Sequence, residues 1–388
     1  MTQARISPTV IRWARGRRGM SEDQLAKSVQ SSPHKVREWE SGQQKPTFRQ
    51  AQRIAQTLHI PFGYLYLKRP PEERLPLPDF RTLSTSPDVG VNHDVLALVN
   101  SLTRKQEWYR EFVRSQGGQP RHFVGSATGT DNAESVAGSI RETLQLTPAI
   151  RSSSSDWTEY LRTLTTLAER AGILVLRSGI VGNNTHRKLP IEQIRGLAFA
   201  DDMAPLVFIN SSDAKTAQIF TFAHELAHIW LGASGVSNLD ATTELREIDQ
   251  EIESLCNRIA AEVLVPAVEF HVDWRETSNE SDQLQRLARA YRVSTEVILR
   301  RAYELGHIDR SEYYARLQNQ RRNQVAPTGE ASGGSFQRNL YARNSSLLVN
   351  AVFESVLNGR TLYRAAAVVL DTKPSTLSRL THDFAGVL

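Results

Sequence analysis

The chain has 388 residues, 47 Lys or Arg against 42 Asp or Glu, and 40% apolar side chains, enough for several packed cores. Its single cysteine excludes a disulfide framework and points to a reducing, cytoplasmic setting. The N-terminus lacks an apolar signal core and no stretch is long enough to span a bilayer, so neither secretion nor a membrane partner is expected.

Charge is unevenly spread. Residues 1 to 70 hold thirteen basic and four acidic side chains, about +9, which leaves about −4 for the rest of a chain that is +5 overall. Such asymmetry suggests a module that faces nucleic acid. Ser21 is placed to cap a helix beginning Glu22-Asp23-Gln24, and Ser32-Pro33 starts another with proline at its favoured first position. Leu25, Ala26, Val29, Val36, Trp39, Ile54, Ala55 and Leu58 recur at helical spacing and predict a small bundle core. Gly19-Met20-Ser21, Val36-Arg37-Glu38-Trp39-Glu40-x-Gly42 and Lys45-Pro46-Thr47 resemble the XRE-type helix-turn-helix. The resemblance implies a second motif helix that enters the major groove of an operator in double-stranded DNA. It assigns Ser32, His34, Lys35 and Arg37 to DNA contact, and Gln43 and Lys45 to phosphates. Arg15 and Glu40 match a pair that bridges the bundle, a structural role. A protein-protein module on the same bundle is the alternative.

From residue 71 to 150 the pattern is a connector. Pro70-Pro71-Glu72-Glu73 and Leu75-Pro76-Leu77-Pro78 are too proline-rich to be helical throughout. Val95, Leu96, Leu98, Val99 and Leu102 then predict a helix over 93 to 115.

The segment richest in chemistry is His224-Glu225-Leu226-Ala227-His228. On a helix the two imidazoles lie one above the other, aimed at one spot that suits a zinc ion. Glu225 projects beside them, where a carboxylate can take a proton from an attacking water. Catalytic zinc takes a third protein ligand. Glu253 is the leading candidate from spacing, on a helix that Pro266 stops, while Glu244, Glu247, Asp249 and Glu251 compete in the same acidic run. Phe-Thr-x-Ala-His-Glu-Leu-Ala-His over 220–228, followed by Glu-x-x-Cys-Asn-x-x-Ala-Ala-Glu-x-Leu-x-Pro over 253–266, resembles the ImmA/IrrE metallopeptidases. Upstream, Asp156-Trp157, Ala168–Val175, Gly196-Leu197-Ala198 and Ala204–Asn210 fit the same family. That resemblance makes Glu253 the third ligand and implies a zincin-like domain over 151 to 270. The strand Pro205–Asn210 reads equally as a peptide-binding edge or a plain core strand. His271, Tyr291 and His307 are oxyanion-donor candidates without an assignment.

Beyond Pro266, residues 271 to 324 read as a helical extension that contains a helix-turn-helix half, Leu284 to Gly306, taken as structural. Residues 325 to 335 are Pro/Gly/Ser-rich and read as a linker. Residues 336 to 388 form a short helical unit whose function is not legible. The fold class is therefore mainly α (α+β): a helix-turn-helix bundle, a central peptidase domain with a small mixed sheet, and a helical C-terminal region. The resemblances imply a transcription regulator with a zinc endopeptidase that cuts one regulatory protein, the product of a neighbouring gene among the candidates. They admit a homodimer. Two rivals stand beside this: a repressor or antitoxin whose peptidase fold senses or binds a partner without proteolysis, and a stress-response factor acting on another repressor.

Overall fold

Capping at each corner builds the N-terminal helices. The computed structural model describes residues 3–71, 93–237, 247–274, 280–323 and 335–385. Most of the proline-rich connector, Glu244 and residues 325–334 of the expected linker lie outside these. Helix α1 (Pro8–Arg17) is followed by α2 (Glu22–Ser28), α3 (Pro33–Ser41) and α4 (Phe48–Leu58). Ser21 and Gln24 form a capping box at α2, Thr47 and Gln50 another at α4, and Ser32 caps α3. Leu25, Val29, Val36, Trp39, Ile54 and Leu58 are buried together with Val10 and Ile11 of α1. The Arg15 guanidinium grips the Glu40 carboxylate with both ends, at 2.6 and 2.8 Å, and also donates to the Met20 carbonyl at 2.9 Å. These two residues therefore hold the bundle together, as their positions imply.

The described residues divide into two compact units, one of residues 3–71 with 93–97 and one of the residues from 98 on. Helix α5 (His93–Ser115) starts in the first unit and belongs to the second from Leu98 on, where polar side chains tie it down. Gln106 donates to the Ala204 carbonyl at 3.0 Å, Arg110 meets Asp201 at 2.9 Å, and Lys105 meets Asp371 at 2.6 Å. Helices α6 (Ala133–Thr143), α7 (Pro148–Ser153) and α8 (Trp157–Arg170) then lead into β1 (Leu174–Ser178), β2 (Gly196–Phe199) and β3 (Leu206–Asn210). The long helix α9 (Lys215–Trp230) and the short β4 (Gly235–Ser237) precede α10 (Glu247–Leu264). Four strands lie in the order β1-β3-β2-β4, with β1 parallel to β3 and the other pairs antiparallel. This is the small mixed sheet expected in a mainly helical chain. Strand β3 sits inside it, paired on both sides and buried at every residue. Of its two readings, the core strand is the one the fold adopts, because an edge needs unpaired N–H and C=O groups.

One core joins these elements. It runs from α6 through α8 and the sheet to α9 and α10, then into α11 (Ala267–Asp273), α12 (Glu280–Tyr291) and α13 (Thr295–Glu304). Val136, Ala137 and Ile140 of α6 lie in it although their segment reads as connector from the sequence. Helices α14 (Arg310–Asn323), α15 (Phe336–Asn344), α16 (Ser346–Leu357), α17 (Tyr363–Val369) and α18 (Pro374–Ala385) complete the chain. No helix among the described residues is long and apolar enough to cross a membrane.

Candidate metal centre and DNA-facing helix

Helix α9 is buried on every side over its last ten residues, because Phe222, Ala223, Leu226, Ala227 and Ile229 cover the faces away from the histidines. That burial is unusual for a helix with three ionisable groups, and it fixes their side chains. His224 and Glu225 are 0% exposed and His228 is 3% exposed. Their spacing brings His224 Nε2 within 3.1 Å of His228 Nε2. Helix α10 packs against α9 and delivers Glu253, whose two oxygens reach His224 Nε2 at 3.1 Å and His228 Nε2 at 3.3 Å. Ligand atoms of all three residues fall within 4.8 Å of one another.

The surroundings prepare these groups to bind a cation. Asn257 Oδ1, one turn after Glu253, accepts from His224 Nδ1 at 3.2 Å, which leaves the lone pair of Nε2 facing Glu253. Burial pushes the His224 pKa down, and the bonds to Glu253 and Asn257 only partly oppose it, so the neutral ligand form is favoured. Burial by itself would raise the Glu253 carboxyl, but the two imidazoles against it, which donate to it only when they carry a proton at Nε2, outweigh this and hold the group well below the usual carboxylate range. Two imidazole lone pairs and a carboxylate aimed at one point repel one another, and a divalent cation there turns that repulsion into attraction. The donor set of two nitrogens and a carboxylate oxygen suits zinc, so the residues fit the metal.

Glu225 lies against strand β2 of the sheet. Strand β2 passes so close that a Cβ on Gly196 would come within 2.1 Å of Glu225 Oε1 and 2.6 Å of Thr221 Cγ2. Glycine at 196 therefore makes room for the carboxylate. Its signal in the sequence was a Gly-Leu-Ala match, without a reason attached. Cys256, beside the ligands on α10, has its thiol pushed up by burial and then by Glu253 and Glu225, which makes it a packing residue.

The three oxyanion candidates are engaged elsewhere. His271 Nδ1 and His307 Nε2 lie 2.9 Å apart, and Tyr291 donates to Asp273 at 2.8 Å from the core. Glu262, in the Ala-Ala-Glu run, accepts from the Ala267 amide at 3.0 Å and pairs with Arg301. It closes the α10–α11 corner. Among the rival ligands, Glu251 is exposed on α10.

In the first unit, Ser32, His34, Lys35 and Arg37 lie at the start and outer face of α3, and Gln43 and Lys45 in the turn after it, all exposed. Ser32 Oγ accepts from the Lys35 amide at 3.4 Å. Arg37 reaches Glu22 at 3.0 Å and His34 reaches Glu38 at 3.4 Å, so both basic groups have internal partners to leave before meeting DNA.

Two family models match the chain. Residues 168–303 match that described as the IrrE N-terminal-like domain, Peptidase M78, and residues 11–65 match that described as Helix-turn-helix. No curated protein matches it. The chain thus joins an XRE-type helix-turn-helix to a peptidase M78 domain of the ImmA/IrrE kind.

Proposed function

We propose that the chain is a DNA-binding transcription regulator carrying a zinc-dependent endopeptidase that cuts a specific regulatory protein. The observation that supports it most is the convergence of His224, His228 and Glu253, with Glu225 on the same helix turned toward the sheet. In this reading the three converging side chains hold the zinc. Bound there, the metal would supply Lewis acidity to a peptide carbonyl and to a water. Glu225 takes the proton of the attacking water and returns it to the leaving amine. Its burial keeps competing bulk water away from the carboxylate. Asn257 holds the His224 ring so that Nε2 stays a ligand. On the reader, Arg37 and Lys35 face base edges, with His34 and Ser32 beside them, and Gln43 and Lys45 face phosphates. A homodimer would pair two such readers on a palindromic operator. A cytoplasmic location fits both the one cysteine and the DNA partner.

Glu225→Gln tests the enzymatic half. The variant is expected to keep its metal, as measured by metal content after dialysis, and to lose cleavage of the regulated protein by about 10²–10⁴-fold. If a variant so impaired in proteolysis still regulates its operator normally, the sensor or partner-binding reading replaces this one.

A further inference from the structure

The C-terminal unit repeats, residue for residue, the corner that defines the N-terminal helix-turn-helix. Helix α2 has seven residues; so does α17. After α2, Val29 caps, Gln30 turns left-handed at φ 54°, and Pro33 opens α3. After α17, Leu370 caps, Asp371 turns left-handed at φ 49°, and Pro374 opens α18 at the same distance along the chain. Backbone hydrogen bonds coincide as well. Val29 N to Leu25 O and Ser31 N to Ala26 O, at 3.0 and 2.8 Å, have counterparts in Leu370 N to Ala366 O and Thr372 N to Ala367 O, at 3.0 and 2.9 Å. The buried set Leu25, Ala26, Val29, Val36 and Trp39 maps onto Ala366, Ala367, Leu370, Leu377 and Leu380, all buried.

The corner alone does not make a reader, because α12 and α13 share it. Arg292 turns left-handed at φ 57° and Val293 N bonds Ala288 O at 3.1 Å. On α13, however, the position that matches Arg37 is Leu299, which is buried in the peptidase core, and the position that matches His34 is Glu296. Helix α18 differs on both counts. Ser375 and Ser378 take the places of His34 and Arg37 and are exposed, with Lys373, Arg379 and His382 exposed beside them. No acidic side chain precedes Asp383 on this helix. Among the described residues no carboxylate pairs with Lys373 or Arg379, whereas Arg37 on α3 is held by Glu22. The corner itself is fixed, since Asp371 accepts from Lys105 at 2.6 Å and from Ser101 at 3.0 Å.

From these observations we propose that α17 and α18 form a second DNA-binding helix-turn-helix, with α18 as its groove-entering helix. Lys373 and Arg379 meet phosphates at the groove walls, while Ser375, Ser378 and His382 face base edges. Two readers in one chain would recognise a composite operator of two boxes.

The test uses the full chain and a pool of long random-sequence DNA duplexes, enriched for binding and then footprinted. It is run in the wild-type chain and in an Arg37→Ala, Lys45→Ala background, so that failure of the N-terminal reader is seen separately. Lys373→Ala with Arg379→Ala is expected to weaken duplex binding roughly tenfold or more and to flatten the plot of log K against log salt by about two. One box of the footprint should vanish while the other persists. The thermal midpoint should not move, since both side chains are exposed. Ser378→Ala should change the preferred sequence of that box alone. Unchanged affinity, salt slope and footprint in the folded double variant overturn the proposal, as does a selected site with a single box.

Discussion

The N-terminal helix-turn-helix and the candidate metal centre place their candidate residues in opposite environments. On α3 every candidate contact is exposed, and the bundle beneath is held by Trp39, Val36 and the Arg15–Glu40 pair. Candidate contacts and stability there rest on different side chains. In the centre, His224, Glu225 and His228 are themselves core residues of α9, and Glu253 lies against both imidazoles. Stability and the proposed function there rest on the same side chains. A surface reader is thus free to change its sequence preference, while a buried centre is coupled to its fold. Buried polar groups also cost more when left unpaired than exposed ones.

The largest effect expected from this contrast is at Glu253. Glu253→Ala should cost most of the bound metal, read by metal content after dialysis against a chelator. Full retention would move the third ligand elsewhere. Asn257→Ala comes next, because it frees the His224 ring without removing a ligand, and a loss of about 10- to 100-fold in metal affinity is expected. A competition titration with a metal indicator measures it, and no change would mean that α9 packing alone orients the imidazole.

Arg37→Ala probes the other side of the comparison. Operator binding should weaken by about 1–3 kcal/mol while the denaturation midpoint stays put. A shift in stability with intact DNA binding would reassign Arg37 to its ion pair with Glu22 and break the separation of roles on α3. The smallest effect concerns acid. Burial would raise the Glu269 carboxyl, but hydrogen bonds from Arg151 and Arg141, at 2.7 and 3.1 Å, outweigh it and lower its pKa. A lowered carboxylate pKa contributes stability that is present above the ordinary value of about 4.5 and lost as pH falls through the folded value. Glu269→Gln should flatten the acid limb of the stability–pH curve by less than about 1 kcal/mol while leaving neutral-pH activity unchanged. An unaltered acid limb would show that the partly exposed pair contributes nothing.

Much of the site was legible because α9 writes its chemistry locally. Two histidines one helical turn apart share a face whatever the rest of the chain does, and the Ser and Thr caps announce α2, α3 and α4 in the same way. Glu253 was harder. Several carboxylates sit in one acidic run, and only the packing of α10 on α9 selects the one that reaches both imidazoles. Gly196 stands in a Gly-Leu-Ala motif, but its close approach to Glu225 arises from strand pairing. The oxyanion candidates show the converse. His271, Tyr291 and His307 have suitable chemistry, but tertiary contacts pair them with one another or with Asp273. The C-terminal unit was silent in sequence because Ser375 and Ser378 carry no distinctive charge. Its likeness to the N-terminal corner emerges from backbone geometry.

What this sequence determined by itself is whatever depends on neighbours within a turn of helix: caps, the paired histidines, the basic N-terminal module and the family patterns. The tertiary structure decided what depends on distance across the fold. It placed β3 inside the sheet, drew α6 into the peptidase core and turned α18 outward where α13 turns inward. The physical reason is that periodicity names a helix's faces, while only burial against other elements settles which face meets solvent.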